Sequence, residues 1–402
     1  YLLERLSQTL ERLETLMAIF VSNRYLPRRI LLLTGCFARA AAERHSISRL
    51  WKQSSGLIAR SVTQNAGDHG EHYITRDKKE YWAMFYSAAG GGVLIALMAL
   101  FKTYLGSIID DKVWKGLAEG LNYGFGFMVI FMLHFTVATK QPAMTAARFA
   151  EAVEKNPQGK TLNMKLAQLL VDVFRSQSVA VLGNVVVAMG LAALIAFVYQ
   201  HQTGEPLMNS ENIAYQLHRI DPLDGSLWFA AIAGVWLFCS GIISGYFDNR
   251  SNYLNMRMRL AQHPLLKKLM SEKSRVKFAN YMHENYGSLI GNLCFGMLLG
   301  ITGVVGYLMH LPLDIRHVAF SSANVGYIAV SGQFTYSLLL QCIGFVLLIG
   351  LVNLIVSFSL TLWVALRSLN AEIDSWWPIW YEVCQIVKKR PLSLFLPVQL
   401  DK

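Results

Sequence analysis

Six stretches of about 20 mostly apolar residues recur along this chain, at roughly 82–104, 119–138, 179–199, 227–246, 287–309 and 338–363. Each has the length a helix needs to cross the hydrocarbon core of a bilayer. In lipid the backbone must satisfy its own hydrogen bonds, so such segments can only be helices. Composition points the same way: 53% of residues are apolar and 16% charged, against about 25% charged in soluble domains. The expected fold class is therefore all-α, a polytopic helical membrane protein with about six transmembrane helices.

Basic residues set the expected orientation. Residues 1–80, 139–178, 247–286 and 367–402 together carry 32 of the 37 Lys and Arg. The alternate connections hold only Lys112, Lys115, Arg219 and Arg316, with Lys102 near the end of the first span, where a long side chain can snorkel. Cytoplasmic loops collect Lys and Arg, so both termini are expected inside. The net charge of +11 then reads as loop bias and contact with anionic lipid.

The chain divides into an amphipathic helical region at 1–80, a six-helix domain at 81–366 and a tail at 367–402. Leu2, Leu3, Leu6, Leu10, Leu13 and Leu16 recur at helical spacing among charges, which makes the first region a helix that needs a partner surface. A chain opening Tyr-Leu-Leu-Glu without methionine is expected to be the end of a larger cytoplasmic domain. Two connections, 139–178 and 247–286, read as basic and helical. The opposite loop at 310–336 is semi-apolar and too short to span, which fits a re-entrant or interfacial element. Gly183-Asn184 and Gly291-Asn292 hint at a repeat. The five cysteines, Cys36, Cys239, Cys294, Cys342 and Cys384, form no CxxC pair and read as small buried hydrophobes.

Polar groups inside spans are costly in lipid and mark packing or function. Asn122, Asn184, Asn292 and Asn353 fall in four spans, with His134 near the inner end of the second; all are expected to face the bundle interior. Asp314, Arg316 and His317 are the candidates in the outer loop. Lys140, Arg250, Arg257, Arg259, Lys267 and Lys268 form the expected headgroup-binding face. Glycines four apart, at Gly241/Gly245, Gly287/Gly291 and Gly296/Gly300, suit close helix packing. His69-Gly-Glu-His72 supplies only half a metal site, and Gly159-Lys160-Thr161 lacks the first glycine and the strand of a P-loop. No metal or cofactor is expected.

Several stretches resemble a bacterial family catalogued as site-specific recombinase. They are Gly70-Glu-His-Tyr-Ile-Thr-Arg76 with Glu80-Tyr-Trp-Ala-Met-Phe-Tyr-Ser-Ala-Ala-Gly-Gly-Gly92, Ala138 to Ala147, Ser240-Gly-Ile-Ile-Ser-Gly-Tyr-Phe-Asp-Asn249, and the Leu311–Asn324 loop. The resemblance implies an inner-membrane protein with a larger cytoplasmic N-terminal region, and its name implies DNA recombination. The residues lack that chemistry's signature: none of the ten histidines is followed three residues later by arginine. The expectation is thus a non-enzymatic inner-membrane protein for transport or lipid handling. The alternatives are a scaffold docking a cytoplasmic protein or forming a homo-oligomer, and a membrane-tethered recombinase; nucleic acid is not the expected partner.

Overall fold

The computed structural model describes residues 74–75, 77–137, 160–331, 334–368 and 375–396, with isolated positions before 39, between 145 and 153 and at 373. Most of region 1–80, the His69 and Gly159 motifs, Cys36 and Lys140 lie outside the described residues. Residues Tyr1–Leu57 and Ile58–Lys402 form two compact units. The elements of the second are α1 (Lys78–Ile108), α2 (Lys112–Met132), α3 (Lys160–Thr203), α4 (Ser210–Ile220), α5 (Ser226–Tyr253), α6 (Met256–Gln262), α7 (Pro264–Leu269), α8 (Glu272–Met309), α9 (Val318–Ala329), α10 (Tyr336–Ser368) and α11 (Trp377–Lys389).

All regular structure among the described residues is helical. Five helices, α1, α3, α5, α8 and α10, are long and apolar enough to cross a membrane. The second expected span, 119–138, falls short of that mark. It forms α2, which starts earlier than its apolar run and ends at Met132, because Asp111 caps it by accepting from the amides of Val113 and Trp114, both at 2.9 Å. Glycines and Lys115, Glu119 and Asn122 dilute its hydropathy. Asp77 caps α1 in the same way through Glu80 N at 2.7 Å. At about 1.5 Å per residue, the 44 residues of α3 far exceed the thickness of a bilayer core.

Small residues set the helix contacts. On α2, Gly116, Gly120 and Gly124 lie against Gly296, Gly300 and Val304 of α8, so closely that a Cβ at Gly300 would overlap the Gly120 backbone. Gly91 and Gly92 let α1 meet α3 at Asn184 and Ala188. Where α8 meets α5, Gly287 and Gly291 face Ser240, Ser244 and Asp248. Close backbone approach of this kind is how apolar helices associate where lipid removes the hydrophobic drive. In the two Gly-Asn dipeptides, Asn184 donates to Ala88 O of α1 and Asn292 donates to Ser288 O of its own helix, at 2.8 Å.

Chain direction alternates, so the turns at 109–111, 204–225 and 310–335 gather at one end of the bundle. The opposite end holds α6, α7 and α11. Tail helix α11 packs inward through Ile379, Val383 and Ile386, and Tyr81 of α1 donates to Phe395 O at 2.9 Å. Its other side leaves Trp377, Trp380 and Tyr381 exposed. The tail is thus part of the same compact unit as the spans.

Candidate functional site

The 310–336 loop contains α9, twelve residues of which ten are buried. It lies against α3, α10 and α1 and is tied to α1 by Tyr327, whose hydroxyl donates to Ala96 O at 2.8 Å. Buried polar backbone needs partners, and Asn353 of α10 supplies them where α9 begins. Its Oδ1 accepts from Val318 N at 3.2 Å, while Nδ2 donates to Ala230 O at 2.7 Å and Arg316 O at 3.0 Å. One side chain therefore joins α10, α5 and the start of α9.

The other polar span residues are also accounted for. Asn184 donates to Ala88 O and Thr136 O, tying α3 to α1 and to the segment after α2. Asn122 donates to Met98 O at 2.9 Å. His134 does not face the interior: it is exposed, has a positive φ of 57° and ends α2, where its carbonyl accepts from Ser87. Asn122, Asn184 and Asn353 thus each join separate elements of the bundle. Arg250, Arg257, Arg259, Lys267 and Lys268 are all exposed and sit at the end that holds α6 and α7.

A charged cluster forms at the other end, where α4 meets the 311–317 segment. Arg316 donates through Nε to Arg219 O at 2.6 Å, and through a terminal nitrogen to Asp314 at 2.6 Å and Ile315 O at 2.8 Å. Arg219 also approaches Asp314, at 3.6 Å. Phe229 and Tyr215 lie beneath the two guanidinium groups, with centroids at 4.9 and 5.4 Å. Nearby, Lys102 pairs with Glu119 at 3.3 Å and sits over the Tyr123 ring.

Burial and charge set the protonation of this cluster. Burial would raise the Asp314 carboxyl, but Arg219 and Arg316 hold it down at about 2. Burial works against the Arg219 charge, yet Asp314 and Tyr215 more than offset it and push that guanidinium up. Arg316 is lowered by burial and by Arg219. His317 is 1% exposed among Phe127, Phe295 and Phe320, and burial lowers it to about 4. It is a neutral ring in an aromatic box.

Two cavities adjoin the α1–α2 hairpin. One of about 20 Å³ is lined by Lys102, Arg219, Arg316 and His317 together with Tyr123 and residues of α4 and α9. The other, about 420 Å³, is a lateral groove lined by Phe101 and Leu105 of α1 and by Ala118, Leu121, Asn122, Phe125, Gly126 and Val129 of α2. Phe101 and Phe125 are 49% and 56% exposed there, so the groove opens sideways. Of the outer-loop residues expected from sequence, Arg316 and His317 line the first cavity, and Asp314 pairs with Arg316 behind its wall. Lys102, Tyr123 and Arg219 line it without having been expected there, with Glu119 paired to Lys102. The signal that could have found them is that Lys102, Arg219 and Arg316 are three of the five basic residues outside the basic connections.

Among known proteins, a family model described as "Site-specific recombinase" matches residues 1–397. No curated protein and no solved structure matches.

Proposed function

The chain belongs to the site-specific recombinase family, and from that premise we propose that it is an integral inner-membrane protein that handles lipid and carries no catalytic centre of its own. The observation behind this reading is the lateral groove of about 420 Å³ between α1 and α2. Its volume lies in the roughly 300–1,000 Å³ range of small-molecule sites, and its walls are apolar except for Asn122, whose amide already serves Met98 O. A site of this kind, open sideways, suits an acyl chain. The five long apolar helices support placement in a bilayer. Trp377, Trp380 and Tyr381 suit an interfacial belt, and the exposed basic groups from Arg250 to Lys268 suit anionic headgroups. The alternation of charge supports both ends inside.

The test is extraction of lipid from detergent-purified protein, followed by native mass spectrometry. Phospholipid should remain bound, and Ala118→Trp, which fills the groove, should lower its occupancy several-fold. Equal occupancy in both proteins, or none in either, sinks the lipid reading.

The family's description favours a second reading over both transport and lipid handling: DNA strand exchange by a membrane-tethered protein. The exposed basic residues at the α6–α7 end could meet phosphates. Ser251 lies 3.1 Å from His283 Nδ1 at this end, but it is fully buried, which keeps its hydroxyl from a phosphodiester. Purified protein should be incubated with supercoiled and inverted-repeat DNA. Nicked product or a covalent protein–DNA adduct establishes this reading, and its absence removes it.

A further inference from the structure

The small cavity at the charged end has an unbalanced wall. Lys102, Arg219 and Arg316 line it, whereas Glu119 and Asp314, which pair with them, do not. The cations have little access to solvent: their side chains are 21%, 14% and 8% exposed. Three positive charges with two carboxylates leave an excess of one, held where water screens poorly. Tyr123, Gln216, Ser321 and Asn324 also line it, beside Ile220, Ile315, His317 and Phe320, and add neutral groups able to donate hydrogen bonds. A volume of about 20 Å³ is room for about one water-sized particle. Phosphate, a carboxylate ligand and a lipid headgroup are too large.

We propose that this cavity is a binding site for a single small monatomic anion of the chloride class, held by Lys102, Arg219 and Arg316. The ion balances the excess charge and joins α1, α4 and the segment leading into α9. This site is separate from the lateral groove and does not depend on the lipid reading. Glu119 competes with the anion for Lys102, so the acidic and basic members of that pair have opposite expected effects.

Thermal unfolding of the detergent-purified protein in sodium chloride, set against sodium gluconate at matched ionic strength, tests the site, together with equilibrium dialysis against radiolabelled chloride. The midpoint should rise saturably with chloride and stay flat in gluconate, with retention of about one chloride per chain. Lys102→Met should weaken the chloride response at least tenfold, and Glu119→Gln should tighten it several-fold. A non-saturating rise, equal midpoints in the two salts, or a response unchanged in both variants overturns the proposal. If Lys102→Met does not fold, Glu119→Gln decides alone: tighter binding supports the site and unchanged binding refutes it.

Discussion

Arg316 donates a 2.6 Å hydrogen bond from Nε to the main-chain carbonyl of Arg219, so two like charges are held side by side by a bond that neither charge opposes. Asp314 then accepts from Arg316 and attracts Arg219. The consequence is mechanical as much as electrostatic: α4 and the strap leading into α9 are fastened to each other next to Asn353.

Asn353 and Asn122 should differ sharply on truncation. Asn353→Ala leaves Val318 N, Ala230 O and Arg316 O without their partner in a fully buried place. A buried unsatisfied group costs about 1–3 kcal/mol, so a loss of roughly 3 kcal/mol is expected. Asn122→Ala gives up one bond at a half-buried position and should cost about 1 kcal/mol. Equilibrium unfolding in mixed micelles measures both; equal losses would refute the pinning role of Asn353.

Gly300→Leu should prevent the α2–α8 seam from closing. Even a Cβ there meets the Gly120 backbone, which cannot rotate aside as a side chain could. Overpacking typically costs about 1–3 kcal/mol, and here the backbone contact places the loss at the upper end. Gly190→Leu, on the exposed side of α3 with nothing within 4 Å of an added Cβ, is the control. Monodisperse yield from size-exclusion chromatography should fall for the first and hold for the second.

His317 should give the protein a pH-dependent stability. Its folded value is lowered to about 4 from the ordinary 6.5, so the unfolded chain binds the proton first. The contribution is fully present above 6.5 and is lost as pH falls toward 4. Between pH 7 and pH 5 this amounts to about 2 kcal/mol. Asp314 adds no slope in that window: the stability contributed by its lowered value is lost only as pH falls below the ordinary carboxylate range. His317→Phe should flatten the profile between pH 7 and pH 5, and an unchanged slope in that variant would be evidence against the neutral aromatic-box assignment.

The helical class was legible because length and hydropathy act locally, one segment at a time. The second span was the hardest to bound: Asp111 starts the helix before its apolar run begins, and capping is set by a single side chain that hydropathy does not register. The asparagines were found as polar residues in apolar runs, but not what they bond, because Asn353 reaches Ala230 O across 123 positions of sequence. The charged cavity shows the same limit. Arg316 and His317 stood out within their loop, whereas Lys102, Glu119 and Arg219 join them only through the folding of α1, α2 and α4 around α9.

The burial of α9 also bears on how the chain is made. Twelve residues at about 1.5 Å each span roughly 18 Å, too little to be threaded into lipid by length alone. The amide that opens this helix is satisfied by Asn353, which is synthesised after it. During translation α9 is therefore made before the side chain that satisfies its opening amide, and its docking is completed only with α10. A ribosome-stalled chain ending before residue 353 would thus carry every earlier long helix while α9 still lacks the side chain that satisfies its first amide.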